Sequence, residues 1–547
     1  MSNITILSPG HLWSLQLLET CKTIGVDTIC IAPGSRSTCL VKAASDISEF
    51  SLITHYDERS LGFFALGSAK YSKKPVVVIT TSGSAVANLV PSATEASAMQ
   101  IPIIFITADR PAALHHCGAN QTLEQEPLLN HLMKEQVSFE VDNQPSSFDM
   151  FSKKVTDVVT SALKGPLHIN IAFNEPFLEK IQPADTYRLN PINLVNPSCH
   201  ANNAASITKT INQHITSLSL VNKDIVCIVS NTVGSINVEA LLSWSTKHNI
   251  PVISECSSFI PWNEPVIRHV DDYIKQLEAE QKEPVYVICI GAKWISKSLQ
   301  LWLLKQNVLL LIHDFVETQN WLQLTCLEVM EPMSELTALL PNIKANHSFY
   351  KQCFLLDNNL KNQPKIIPSN QAFTELTCLN ALEPFIEDMK TLFLGNSLTV
   401  RHINNQLGRL KNPIMSITQR GVSGIDGLIA TIAGIACQES AGTMGIIGDI
   451  SFFYDMGALS LLRYAKSTTL LVVINNGGGQ IFNSLDISND DICNPLFVMP
   501  QSICIKSIAR AFSIQYQRIE SKQDLAIFKK IVKESNKTYL IECVISS

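Results

Sequence analysis

A chain of 547 residues exceeds what one hydrophobic core serves, so about three domains are expected. With 46 % hydrophobic and 16 % charged residues it has ample apolar material to bury, which excludes a disordered or fibrous class. A net charge of −6 without basic clusters offers no footprint for nucleic acid or an anionic membrane.

The first twenty residues carry no Lys or Arg ahead of their apolar stretch and no small-residue cleavage site, which argues against a signal peptide. No apolar run approaches the roughly 20 residues of a membrane helix, and the best candidate, 470–474, reads as a buried strand. Fifteen cysteines are scattered without a Cys-x-x-Cys pair and with an odd total. That suits free thiols in a reducing compartment, and the expectation is a cytoplasmic protein.

Along the chain, short apolar runs alternate with helix-length segments. Strands are expected at 28–32, 75–80, 101–107, 167–172, 224–230, 285–290, 308–313, 391–394, 444–447, 469–474 and 539–544. Near-continuous apolar strands separated by helices indicate an α/β fold of parallel sheets flanked by helices. Two polar stretches rich in Pro and Asn, 181–205 and 341–369, read as linkers. The expected domains are therefore 1–183, 184–350 and 351–547.

In the first of these, Pro33-Gly34-Ser35-Arg36-Ser37 follows the first strand. Next comes Leu52-Ile53-Thr54-His55-Tyr56-Asp57-Glu58-Arg59, then an Ala- and Gly-rich helix over 60–71. Glu58 thus stands at a strand-to-helix junction, where an acid also complements a helix dipole. His55 and Asp57 compete with it for any catalytic role. Asp109-Arg110-Pro111 ends the strand at 101–107 and leads to Gly118-Ala119-Asn120-Gln121. His115-His116-Cys117 lies between them, but adjacent residues rarely ligate one ion and no second cluster accompanies it.

The third domain carries the sharpest signal. Gly395-Asn396-Ser397 with Arg401 opens it, and Gln419-Arg420-Gly421-Val422-Ser423-Gly424-Ile425-Asp426-Gly427 follows. Gly448-Asp449 ends one apolar strand, and Asn475-Asn476-Gly477-Gly478-Gly479 ends the next. Asp449 and Asn476 lie 27 positions apart, with helix-length sequence between. Parallel neighbouring strands then present an acid and an amide at one carboxyl edge, where open α/β sheets bind ligands. Carboxylate and amide oxygens are hard ligands suited to Mg²⁺, and a glycine carbonyl, that of Gly478, can join them. Either dipeptide alone is an ordinary strand-end turn. An acidic loop at 486–495 reads equally as a lid or as a solvated insertion.

Gly-Asp followed by this spaced Asn-Asn pair resembles the fingerprint of thiamine-diphosphate enzymes, with Ile450 in place of the usual second Gly. The motifs around Arg36, Glu58, Gln121, Arg401 and Asp426 are similar to those of the 2-succinyl-5-enolpyruvyl-6-hydroxy-3-cyclohexene-1-carboxylate synthases of menaquinone biosynthesis. The similarity runs through the first and third domains and thins in the middle one.

The resemblance implies thiamine diphosphate with Mg²⁺ (or Mn²⁺) as cofactors and Glu58 as the acid hydrogen-bonded to pyrimidine N1′. Gly448, Asp449 and Asn476 would meet the diphosphate and its metal, with Gly478 lending its carbonyl. Ile425 would be the apolar wedge under the cofactor, with Asp426-Gly427 beside the aminopyrimidine. Ser35, Arg36, Asn120 and Gln121 would meet substrate from the first domain, and Ser397, Arg401 and Arg420 from the third. The family's middle-domain Lys-Arg pair is matched by Lys297-Ser298, with only the lysine retained. The implied reaction decarboxylates 2-oxoglutarate and transfers the four-carbon remainder to isochorismate. Both molecules carry two carboxylates, which guanidinium forks match. A homodimer or a dimer of dimers with shared sites is implied, without nucleic acid or membrane insertion. The alternatives are another 2-keto-acid carboligase of the acetolactate synthase kind, with an apolar donor pocket, and a catalytically silent binding homologue.

Overall fold

Runs such as Val-Val-Val-Ile-Thr at 76–80 form strands buried along their whole length, because helices covering both faces of a parallel sheet leave no side for alternating polar residues. The computed structural model describes residues 6–178, 189–192, 201–315, 320, 322–362, 373–521, 523–525 and 537–545, the side chains of 201–205 excepted.

Three sheets result, and every strand pairing in them is parallel. The first contains β1 (Thr28–Ile31), β2 (Ser51–Thr54), β3 (Val76–Thr80), β4 (Ile103–Asp109), β5 (Glu135–Glu140) and β6 (Leu167–Ala172), in the order β2-β1-β3-β4-β6-β5. The second contains β7 (Ile225–Val229), β8 (Val252–Ser254), β9 (Tyr286–Ile290), β10 (Asn307–His313) and β11 (Leu327–Met330), ordered β11-β10-β9-β7-β8. The third contains β12 (Thr391–Leu394), β13 (Met415–Thr418), β14 (Thr443–Gly448), β15 (Thr469–Asn475), β16 (Gln515–Ile519) and β17 (Thr538–Val544), ordered β13-β12-β14-β15-β17-β16.

In each sheet the second strand lies on one side of the first and the third strand on the other. The winding direction reverses there, which opens a crevice at the carboxyl ends of the first and third strands. In the first sheet the loops at that point begin at Ala32 and Thr81. In the second they begin at Ser230 and Gly291, and in the third at Gly395 and Asp449.

All eleven expected strands are present. The other six, β2, β5, β8, β11, β13 and β16, are the six sheet edges.

The chain divides into two compact units. One holds residues up to 198 together with 426–440 and 454–466. The other holds 199–425, 441–453 and 467 onward.

In the first unit the helix Pro9–Thr23 starts from Ser8, whose side chain accepts from the His11 N–H, with Pro at the first helical position. Trp13 on this helix stacks on Phe151 of the helix Pro145–Val159 at 4.4 Å between ring centroids. The helix Glu58–Ser72 packs against Leu428–Gln438 so closely that their backbones touch. A Cβ at Gly67 would lie 2.1 Å from the Thr431 carbonyl oxygen, and one at Gly434 would lie 2.0 Å from that of Phe64.

In the second unit the stretch 341–369, expected as a linker, contains the helix His347–Asn362. Phe349, Cys353 and Leu356 recur at helical spacing and are buried in the core of the middle sheet. The Lys, Gln and Asn residues that made the segment look like a linker occupy its other positions. The expected division at 350/351 runs through this helix. Of the other expected linker, the helix Ala201–Ser217 begins within it, and 179–188 and 193–200 lie outside the described residues.

Among the described residues no helix is long and apolar enough to cross a membrane. The cysteines among them are free thiols.

The helix contact makes a direct test of the first unit's packing. Gly434→Ala drives a methyl into a backbone carbonyl and should lower stability by about 1–3 kcal/mol or more, read as a lower melting temperature. Gly457→Ala, whose added Cβ would meet nothing within 4 Å, is the control and should melt near the parent.

Candidate active site

The carboxyl edge of the third sheet gathers the strongest sequence signals. Gly448↔Ile474 is the last pairing between β14 and β15, and Asp449 and Asn476 are the residues that follow the two strands at that edge. Asp449 is 3 % exposed. Its Oδ2 accepts the Gly478 N–H at 2.7 Å and its Oδ1 the Ile450 N–H at 2.8 Å. Burial pushes its pKa up to about 6, against the pull of these amides. Asn476 donates its Nδ2 to Glu375 Oε2 at 3.1 Å. Its Oδ1 is buried and has no hydrogen-bond partner among the described residues.

The glycines here have separate reasons. Gly478 has φ +121°, and a Cβ on it would fall 2.2 Å from the Val498 carbonyl oxygen. Its carbonyl accepts from the Gln480 N–H at 2.8 Å, which leaves a second lone pair. A Cβ at Gly448 would meet nothing within 4 Å, so nothing in the protein requires its smallness. A buried carboxylate, an unpartnered amide oxygen and a backbone carbonyl form the donor set of a hard divalent cation.

The first crevice loop of this sheet holds a pair of arginines with the next loop along. Ser397 has φ +69°, a conformation that strains a residue with a Cβ by about 1–3 kcal/mol. Arg401, on the helix Leu398–Gln406, donates to the Ser397 carbonyl at 2.6 Å. Arg420 donates to Asn396 Oδ1 at 3.2 Å, and Asn396 is oriented by giving its amide to the Gln419 and Gly424 carbonyls. Burial and the charge of Arg420 both lower the Arg401 pKa. Two guanidinium groups in mutual repulsion are a standing invitation to an anion.

Glu255, at the end of β8, is fully buried and accepts from the Ile295 and Ser296 N–H groups and the Ser230 hydroxyl. Burial raises its pKa, and those donors and the Arg420 charge oppose the rise. Lys297 is exposed at the start of the helix Lys297–Leu303. The middle-domain lysine that reaches the Arg420 loop is Lys293, whose ammonium donates to the Gly421 carbonyl at 2.8 Å and lies 5.0 Å from the centre of the Phe315 ring. It follows Gly291 directly after β9, a position of the same kind as those that flagged Arg36 and Arg420.

In the first unit the three competitors after β2 separate clearly. The Asp57 carboxylate is engaged as the cap of the helix Glu58–Ser72, accepting from the Arg59 and Ser60 N–H groups. His55 is buried, and burial lowers its pKa to about 4, so it is neutral. Glu58 is half-buried at the first helical position.

Behind it stands Asp455, fully buried, which accepts the Ala430 N–H at 2.9 Å and the Ser60 hydroxyl at 3.4 Å and lies 4.0 Å from Arg59. One carboxylate therefore ties the first turn of the Glu58 helix to the first turn of Leu428–Gln438. That second helix follows Asp426, half-buried, and Gly427, whose φ of +65° and nearness to the Phe63 ring (2.0 Å from an added Cβ) allow only glycine. Ile425, half-buried, precedes them and belongs to the second unit.

The substrate candidates of the first unit collect at the β1/β3 crevice. Ser35, Asn120 and Gln121 are exposed. Arg36 is buried, donating to the Phe173 carbonyl at 2.9 Å and to Glu175 at 3.0 Å. Arg110 donates to the Gln121 carbonyl at 2.8 Å and to the Ser82 hydroxyl, which ties the Gln121 loop to the end of β3. Its pKa is lowered by burial and by the charge of Arg36, a second arginine pair like that of the third sheet.

Residues 14–132 match the family described as thiamine pyrophosphate enzyme, N-terminal TPP binding domain. Over 98 % of its length the chain is 30 % identical to the 2-succinyl-5-enolpyruvyl-6-hydroxy-3-cyclohexene-1-carboxylate synthase of Shewanella frigidimarina, spanning 94 % of that protein. It is also 30 % identical to that of Psychromonas ingrahamii over 99 % of the chain and 94 % of the relative, and 31 % identical to that of Serratia proteamaculans over 93 % and 91 %. The chain belongs to this synthase family.

It is therefore a thiamine pyrophosphate enzyme. Lys293 and Asp455, which no quoted motif contains, lie among the candidates, as does Arg110, which stood in the Asp109-Arg110-Pro111 motif without a role. Lys293 and Arg110 each follow a strand end, which is the signal that locates them. Asp455 carries no local signal, since its burial comes from helices distant in sequence.

Asp455 also supplies a pH test. Burial pushes its pKa up to about 7 from an ordinary 3.8. Between those values the folded chain holds a proton that the unfolded chain has released, so stability falls as pH rises through that window and is level above it. Asp455→Asn removes this proton. The melting temperature of the variant minus that of the parent should climb from pH 4 to about 7 and then flatten. A difference independent of pH would show that Asp455 is not held protonated.

Proposed function

We propose that this enzyme removes CO₂ from 2-oxoglutarate and joins the remaining four carbons to isochorismate, giving 2-succinyl-5-enolpyruvyl-6-hydroxy-3-cyclohexene-1-carboxylate for menaquinone biosynthesis in the cytoplasm. The observation that carries it is the Arg401–Arg420 pair at the same sheet edge as Asp449 and Asn476, in a chain of this synthase family. A pyruvate-using carboligase has one carboxylate to place and an apolar donor pocket. Two arginines suit a donor with a second carboxylate.

Thiamine diphosphate, when bound, supplies the thiazolium that takes up the electron pair released as CO₂ leaves. Asp449, Asn476 Oδ1 and the Gly478 carbonyl would hold Mg²⁺ (or Mn²⁺) on its diphosphate, with the open side of Gly448 admitting the phosphates. Glu58 holds a proton at pyrimidine N1′, Ile425 supports the cofactor as an apolar wedge, and Asp426 and Gly427 flank the aminopyrimidine. Ser397, Arg401 and Arg420 orient one dicarboxylate. Ser35, Arg36, Asn120 and Gln121, joined by Arg110, orient the other. The Glu175 side chain, 66 % exposed, is the partner that an incoming carboxylate would replace on Arg36. Lys297 or Lys293 would supply the middle domain's cationic contact. Turnover of 2-oxoglutarate with isochorismate, dependent on added thiamine diphosphate, is the expected result. Equal turnover with pyruvate as donor would favour the other carboligases.

Glu58→Gln should bind the cofactor and lose most of the turnover, because an amide cannot hold the N1′ proton. Full activity in that variant would remove Glu58 from the mechanism.

Glu58 lies in one unit of the chain and the cation ligands in the other. We read the working form as a homodimer, alone or paired into a dimer of dimers, with each site built from both chains. Asp449→Ala should lose diphosphate binding far more than folding. Mixing it with Glu58→Gln places both defects in one site of a mixed dimer and neither in the other. Random exchange then leaves roughly a quarter of all sites intact, so activity should recover to about a quarter of the parent's. Absence of recovery despite exchange seen by mass spectrometry would mean that each chain completes its own site.

A further inference from the structure

A carboxamide presents two ends of nearly equal shape and opposite chemistry. Only Oδ1 of Asn476 can bind a cation, and an Nδ2 turned the same way would repel one. Burial alone does not choose between the two orientations. The choice is made by Glu375, whose Oε2 receives the Nδ2 at 3.1 Å and leaves Oδ1 buried without a donor.

The position of Glu375 is itself determined by structure remote from the crevice. It is the first residue of the helix Glu375–Ile386, started by Thr374, whose hydroxyl accepts the Thr377 N–H. Cys378, Leu379 and Leu382 anchor that helix in the core beneath the third sheet. The Glu375 side chain is 11 % exposed, and its other oxygen lies 3.9 Å from His402, the neighbour of Arg401 on the helix that bears the arginine.

We infer that Glu375 is a positioning residue that orients Asn476 toward the cation, an inference that rests on the cation site proposed above. On this reading it acts through Asn476 and not on cofactor or substrate directly. Its effect should therefore reach the enzyme through Mg²⁺ affinity, and only while residue 476 is an amide.

The test is the Mg²⁺ concentration needed for half-maximal thiamine diphosphate binding, read by calorimetry or tryptophan fluorescence on the full chain, beside the melting temperature of each variant. Glu375→Ala should raise that concentration about 10–100-fold, the usual consequence of losing a partner that orients a metal ligand. Glu375→Gln keeps an acceptor oxygen and should stay within about threefold of the parent. Glu375→Met, a good helix former without an acceptor, repeats the measurement if the alanine variant melts too low.

The discriminating arm is Asn476→Asp, whose two ends are both oxygens. In that background Glu375→Ala should change the Mg²⁺ requirement by no more than about threefold. A purely structural role would lower the melting temperature in both backgrounds and leave the Mg²⁺ requirement unmoved, and that result would overturn the inference. An equal loss in both backgrounds would overturn it as well. Asp449→Ala separates this failure from that of the underlying reading: if it binds Mg²⁺ as the parent does, the cation site lies elsewhere.

Discussion

The unbroken ladder between β14 and β15, from Thr443↔Thr469 to Gly448↔Ile474, is the constraint on which the candidate site rests. Parallel strands that keep register end together, so the two residues that follow them emerge at one edge. A slip of one residue would turn the side chains of a strand to the opposite face of the sheet. The hydrogen bond from the Gly478 N–H to Asp449 then closes the turn after β15 onto the turn after β14. Gly478 can make that approach because it carries no Cβ to meet Val498.

In both units the chain holds carboxylates in places where burial disfavours their charge. Asp449, Glu375, Glu255 and Asp455 all have raised pKa values with burial as the first cause. Backbone amides hold Asp449, Glu255 and Asp455, and the Asn476 amide holds Glu375, with the Arg420 charge acting on Glu255 and Arg59 lying 4.0 Å from Asp455. Neutral donors fix the direction of a buried carboxyl group whether or not it is ionised. The arginines show the converse arrangement. Arg401 with Arg420, and Arg36 with Arg110, stand close enough for each pair's like charges to repel.

Much of the fold could be read directly from the chain. The eleven expected strands are interior ones, where flanking helices force continuous apolar runs such as 76–80 and 469–474. Of the edge strands, β2, β5, β11 and β16 are partly exposed and carry mixed sequences, as in Glu-Gln-Val-Ser-Phe-Glu of β5 and Gln-Tyr-Gln-Arg-Ile of β16, whereas β8 and β13 are short and largely buried. Only β2 and β13 among them were foreseen at all, through the motifs that follow them. The helix His347–Asn362 was missed for a related reason, since its apolar stripe is narrow and its remaining positions are polar.

By itself the sequence determined the α/β class, the family motifs and the residues at the strand ends, because parallel-strand burial and tight turns impose local patterns that the chain must spell out. It also singled out Asp449, Asn476 and Glu58 as chemistry-bearing positions. What it left open was which of neighbouring groups carries each role and what holds it there. That His55 is buried neutral, that Lys293 reaches Gly421, and that Glu375 and Asp455 stand behind Asn476 and the Glu58 helix were decided by tertiary structure alone. Such contacts join residues tens to hundreds of positions apart, and no local pattern records the partner to which a buried polar group will turn.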